Sequence, residues 1–350
     1  MRSFLTFVVC IAEAFSAFAA SVTSVGPMVA ARQQATATLL PDGTVLIAGG
    51  VDFQGPGVQL HEEIYDPRLR TFRAIGGMLA ARIGHAAAAL VDGRVLLIGG
   101  PRSTESNSEI YDPATATFSR LTSMAAEHYV GAAVVLADGR VLAAGGKRSF
   151  ERVATAEIYN PASGGWILTG AMSQPRDGFA AVRLKDGRVL VAGGSSITAD
   201  LFDPATGVFT SLGSVPVPPL RGVLLPNGKV VLVGLGRIQT FDPSARTFRS
   251  SSVILKTYRG EALVLLPDGS VLIAGGNIDG TVLSADVLVY SPDTDSVKTI
   301  GALTVGRDSP TGTLLPDGTA LIAGGFTTGA KSSAAAEIVD LRPRGRAVRH

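Results

Sequence analysis

Cationic side chains recur at one position along this chain of 350 residues. Arg32, Arg82, His128, Arg176 and Arg307 each stand ten residues before the Asp of a turn written Asp-Gly, and Arg259 stands nine before its own. Guanidinium groups gathered around one opening would hold a carboxylate, sulfate or phosphate through charge-assisted, often bidentate hydrogen bonds, and His128 would add an imidazole. These six are the candidate ligand-binding residues. A second use fits the same spacing: Glu63, Glu109, Glu157, Asp200 and Glu337 could neutralise the cations inside the fold, because a residue repeated along a chain commonly serves a repeated contact. Glu127, Asp177, Glu261 and Asp308 neighbour the cations, and a carboxylate beside an arginine can move protons when it is well placed. Adjacent side chains on extended backbone point opposite ways, so Glu261, two residues after Arg259, is the acid expected to share its arginine's side.

Other chemistry is poorly represented. The histidines, His61, His85, His128 and His350, share no metal-ligand spacing, and Cys10 is the single cysteine. No nucleophile motif or phosphate-cradling loop stands out, so no catalytic residue, metal or cofactor is expected. Acids and bases nearly balance at a net charge of +2, with no basic stripe interleaved with aromatics, which argues against a nucleic-acid partner.

The positions of the cations are set by a repeat. Asp42-Gly43, Asp92-Gly93, Asp138-Gly139, Asp186-Gly187, Asn227-Gly228, Asp268-Gly269 and Asp317-Gly318 begin at intervals of 50, 46, 48, 41, 41 and 49 residues. Most are followed by a glycine pair. A unit of this length cannot bury its apolar face alone and must stack on its neighbours. The second unit reads as four antiparallel strands: Ile83 to Leu90, Arg94 to Ile98, Ser108 to Tyr111 and Thr117 to Leu121. Asp-Gly suits a two-residue turn with positive φ between the first two, and Asp112-Pro113 turns the last two. The latter signal recurs as Tyr65-Asp66-Pro67, Tyr159-Asn160-Pro161, Phe202-Asp203-Pro204, Phe241-Asp242-Pro243 and Tyr290-Ser291-Pro292. One large residue then follows on the fourth strand: Phe72, Phe118, Trp166, Phe209, Phe248 and Val297.

Glycine pair, Tyr-Asp-Pro and aromatic, at nearly fifty residues per unit, resemble the kelch repeat from Val22 to about Leu341. The resemblance implies a β-propeller. The fold class expected is thus all-β, a seven-bladed β-propeller of four-stranded antiparallel blades. Val22 to Arg32 aligns with Phe72 to Arg82, and the seventh repeat lacks a fourth strand, so the N-terminal strand is expected to close the ring. Small residues such as those of Ala86 to Ala89 suit first strands crowded around an axis. The short turns then share one face of the disc, and the loops after the glycine pairs, shortest in blades four and five, share the other.

The resemblance also bears on function. In kelch propellers with partners, an arginine before an x-Gly step, as in Arg82-Ile83-Gly84 and Arg176-Asp177-Gly178, lies on the binding face. Some members are copper radical oxidases, which need a cysteine-tyrosine crosslink and two histidine ligands. That activity is specifically not expected here. Others isomerise acidic sugars, which supplies the alternative reading: a sugar-acid isomerase or other carbohydrate-active enzyme.

Residues 1–20 read as a signal peptide: Arg2, an apolar run from Phe4 to Phe18, then Ala17-Phe18-Ala19. Residues 21–341 form the propeller, and 342–350, with four arginines, form a basic tail expected to be disordered. The composite expectation is a secreted or periplasmic monomer without a membrane span after cleavage. It would be a binding or scaffold protein rather than an enzyme, recognising a glycan, an anionic small molecule or an extracytoplasmic protein.

Overall fold

The computed structural model describes residues 20–342 except 56, 59–61, 101–107, 126, 127, 130, 258 and 330. The signal peptide and basic tail, but for residues 20 and 342, therefore lie outside the described residues, as do Cys10, His61, Glu127 and His350. Within the described residues no helix is long and apolar enough to cross a membrane.

Seven four-stranded antiparallel sheets make a β-propeller. The first strands are short: Thr36–Leu39, Ala86–Ala89, Ala132–Val135, Ala180–Arg183, Arg221–Leu224, Ala262–Leu265 and Thr311–Leu314. Each touches the next around the circle, and the seventh touches the first. The fourth strand of blade seven is Ser21–Ser24, which pairs with Ala336–Asp340 from Ser21 opposite Asp340 to Ser24 opposite Glu337. The ring is closed as the sequence implies.

The second strands, such as Val45–Ala48 and Val95–Ile98, are buried on both faces because each blade is sandwiched between two others. Seven apolar clusters result, one per seam between blades. In blades one to five the third-strand aromatic stacks on the fourth-strand aromatic of its own blade, as in Tyr65–Phe72 at 4.8 Å and Tyr159–Trp166 at 5.1 Å between centroids, whereas Tyr290 of blade six faces Val297. Such a pair contributes about 0.5–1.5 kcal/mol beyond its buried area. Val22 occupies the equivalent place in blade seven and packs into the seam with blade six, which explains why a strand of modest residues can stand in for an aromatic one.

The turns differ in one respect from expectation. Leu40 donates to the Thr44 carbonyl and Gly43 to that of Leu40, so three residues intervene and only the glycine, at φ 86°, is left-handed. Asp42 Oδ1 instead accepts from the Thr44 amide at 3.0 Å. It is a turn with a glycine bulge rather than a two-residue hairpin. The glycine pairs serve the seams: Gly50 donates to the Arg82 carbonyl of the next blade at 2.8 Å, and Gly146, Gly276 and Gly325 repeat that bond.

Candidate functional site

The conserved spacing of cation and turn places most of the candidate side chains in a clamp inside each blade. Arg82 Nη2 meets Glu109 Oε1 at 2.8 Å while its Nη1 donates to the Gly99 carbonyl at 2.7 Å. Glu109 also accepts from the Leu79 and Ala80 amides, tying down the chain that enters the blade. Arg32 pairs with Glu63, Arg176 with Asp200 and Arg307 with Glu337 in the same way. His128 Nδ1 donates to the Gly145 carbonyl at 2.6 Å, with Glu157 Oε1 3.5 Å from its Nε2. All five side chains are buried. Burial lowers the pKa of Arg82, Arg176 and Arg307, each opposed by its own carboxylate.

Arg32, Arg82, His128, Arg176 and Arg307 therefore do not ring the mouth of the channel, and the arginine-x-Gly steps do not present Arg82 or Arg176 on the face. The physical reason is the acid two residues before each third-strand aromatic, which captures the cation within its own blade. Arg259 escapes for two reasons. It stands one residue later in the repeat, at the register of Gln33, Tyr129 and Asp308, which all make isolated bridges at the channel rim. Its blade also carries Leu288 where five of the others carry an acid. In blade five the clamp is reduced to Gln239 Nε2 donating to the Val217 carbonyl.

Above the first strands lies a funnel of about 970 Å³, opening on the loop-rich face, at the upper end of volumes that hold small ligands. Its wall changes character around the ring. Gln33, Gln34, Thr36 and Thr38 give neutral hydrogen-bonding groups on blade one, and Lys147, Arg152 and Asp177 form an ion-paired cluster on blades three and four. Blades five to seven contribute Arg221, Arg259 and Asp308. Arg221 and Arg259 are exposed to the funnel, and neither guanidinium makes a hydrogen bond or ion pair with the described residues. Enclosure by the channel walls lowers the pKa of Arg221, with Glu261 and Asp308 pulling the other way. Glu261 itself is almost fully buried, and its Oε1 has no hydrogen-bond partner among the described residues.

Sequence reasoning missed Arg221. The clue was present: every other first strand begins with Ala or Thr, whereas that of blade five begins with arginine. The rim beside it is low, since only residues 193–197 and 235–236 join the second and third strands of blades four and five. By contrast, blades one, three and seven raise small hairpins above the face. His85 lies deeper, its Nε2 2.9 Å from Thr36 Oγ1, and no group of three or more His, Cys, Asp or Glu among the described residues is arranged to hold a metal ion.

No family model matches the chain, and no curated protein matches it. Among solved structures it is similar to a novel fungal alcohol oxidase with catalytic diversity among the AA5 family, in complex with copper. The TM-score is 0.75 at 18% identity, over 91% of this chain and 75% of that one. Such a likeness establishes the propeller fold. It also corrects the expectation that the chain is not an enzyme, with copper radical oxidase activity specifically excluded: a copper alcohol oxidase is built on this very scaffold, so that exclusion is withdrawn. The described residues show no group of three or more His, Cys, Asp or Glu that could hold that protein's copper.

Proposed function

We propose that the protein is an exported, kelch-type propeller that binds an anionic small molecule or acidic glycan in the mouth of its channel, acting as a monomer. The observation that carries this reading is the pair Arg221 and Arg259, two guanidinium groups facing one funnel with no hydrogen bond or ion pair among the described residues. Guanidinium groups whose donors are unbonded in an enclosed space are poised to take an anion from outside, and a carboxylate or sulfate matches their planar donor geometry. The low rim over blades four and five gives entry, and the amides and hydroxyls of blade one suit the neutral part of a sugar.

Calorimetric titration with glucuronate, citrate and sulfate tests the proposal. Arg221→Ala and Arg259→Ala are each expected to weaken binding at least tenfold, about 1.4 kcal/mol, with unfolding midpoints unchanged. Arg82→Ala should behave oppositely, losing about 3–5 kcal/mol of stability because it strands Glu109 in the interior. Binding that survives both funnel substitutions sinks the reading. Glu261 favours a second one, carbohydrate-active catalysis: a buried carboxylate without a hydrogen bond to Oε1, two residues from Arg259, could exchange a proton with a bound sugar acid. Turnover of an acidic sugar that vanishes in Glu261→Gln would select it.

A further inference from the structure

Asp308 lines the funnel together with Arg221 and Arg259 and forms an ion pair with neither. Its carboxylate is held by other groups: Oδ1 accepts from Ser309 Oγ at 2.7 Å, and Oδ2 from Asn277 Nδ2 at 3.3 Å. Its backbone is tied as firmly, exchanging two bonds of 2.8 Å with Phe326 of the blade-seven hairpin. That hairpin, Phe326–Thr327 with Lys331–Ser332, leans on blade one, where Ser332 Oγ donates to the Val51 carbonyl at 2.9 Å. Gly260 completes the cradle: a Cβ there would overlap Asp308 Oδ1, and the Gly260 carbonyl accepts from the Ser309 amide at 2.7 Å. The carboxylate thus rests against the residue next to Arg259, and it also acts electrostatically on Arg221.

A second observation concerns the backbone. In blades two, four and six the residue two before the first strand is a left-handed glycine, with φ of 57° at Gly84, 60° at Gly178 and 78° at Gly260. Blades seven and one keep side chains at this register, Ser309 at 52° and Gln34 at 55°. Strain of this kind concentrates where a side chain has a use. Ser309 uses its hydroxyl to fix Asp308. Gln34 is exposed in the funnel wall, and its amide makes no hydrogen bond with the described residues.

We propose that Asp308 and Gln34 form a hydroxyl-reading edge of the funnel, so that the ligand held by Arg221 and Arg259 is a hydroxylated carboxylic acid rather than a simple anion. This rests on the arginine pair as the anion site. An ionised carboxylate only accepts hydrogen bonds, and beside two guanidinium groups it favours a ligand with hydroxyl donors close to its own acid group. The same charge repels a second negative group, which disfavours sulfate and polycarboxylates. The Gln34 amide both donates and accepts, which suits further hydroxyls.

Calorimetric titration with gluconate, hexanoate and sulfate tests it, hexanoate being the same straight-chain acid without hydroxyls. Gluconate is expected to bind about tenfold more tightly than hexanoate. Asp308→Asn should weaken gluconate about tenfold and tighten sulfate about threefold, since it removes a charged acceptor and a repulsion together. Gln34→Gly should weaken gluconate and leave sulfate unchanged, with a melting temperature no lower than before, because glycine relieves the left-handed strain. Equal affinity for gluconate and hexanoate overturns the inference while leaving the arginine site intact. So does Asp308→Asn weakening gluconate and sulfate alike, which would mark a structural role. If none of the three binds, the arginine site itself fails and the hydroxyl-reading edge falls with it.

Discussion

Glu62 and His85 both abut Gly49 in the seam between blades one and two, and they respond to pH in opposite directions. Glu62 Oε2 accepts from the Gly49 amide at 2.6 Å, but burial outweighs this bond and the charge of Arg32, raising its pKa to about 7. His85 is held neutral: burial, reinforced by Arg82, lowers its pKa from 6.5 to about 3. Below pH 6.5 the unfolded chain takes up a proton at His85 that the folded chain refuses, so stability from this group is complete above 6.5 and declines as pH falls toward 3. Glu62 works the other way. Between its ordinary 4.5 and about 7 the folded chain keeps a proton that the unfolded chain releases, so its contribution is complete below 4.5 and lost as pH rises through 7. Urea unfolding across this range should show each term separately. Glu62→Gln is expected to remove the decline between pH 4.5 and 7, and His85→Phe, which copies Phe179 at the same register of blade four, to remove the acid decline, each worth about 1.4 kcal/mol per pH unit. Unchanged pH profiles in these variants would contradict the assignment.

The elements owe their spacing to places where no side chain fits. A Cβ on Gly49, at φ 63°, would stand 2.6 Å from the Arg82 carbonyl oxygen of the next blade, and that oxygen cannot retreat because Gly50 is bonded to it. Gly49→Ala is therefore expected to cost about 2–4 kcal/mol, from left-handed strain and overpacking together, read as a lower denaturation midpoint. The repeating elements were readable because their signals are local: a turn aspartate, a glycine pair, an aromatic on the third strand. The clamp was visible only as an ambiguity, since cation and acid lie roughly 25–30 residues apart and nothing in the spacing says whether Arg82 faces Glu109 or a ligand. Arg259 was ranked with the buried cations because it lies one residue from their register, a slip that on extended backbone reverses the side chain. Arg221 went unnoticed because it belongs to the first strand, where the repeat directs attention to small residues. The free cations thus appear in the two neighbouring blades where the clamp has lapsed, Val217 with Gln239 in one and Leu288 in the other.

At the scale of the whole molecule, the ring has a single joint between distant parts of the chain. Removal of residues 20–24 would strip the partner from Ala336–Asp340 and uncover the seam that Val22 fills. The expected outcome is a lower melting temperature together with concentration-dependent self-association on gel filtration, because an unpaired strand edge seeks another chain. A truncated protein that stays monomeric and equally stable would show that the joint contributes little. The same joint has a consequence for biogenesis. Ser21 meets Asp340, so blades can assemble one by one in order of sequence, yet the circle closes only when the strand Ala336–Asp340 is free to pair with Ser21–Ser24. The funnel wall shared by blades five to seven and the mutual bracing of the hairpins on blades seven and one then become properties that only a finished molecule acquires.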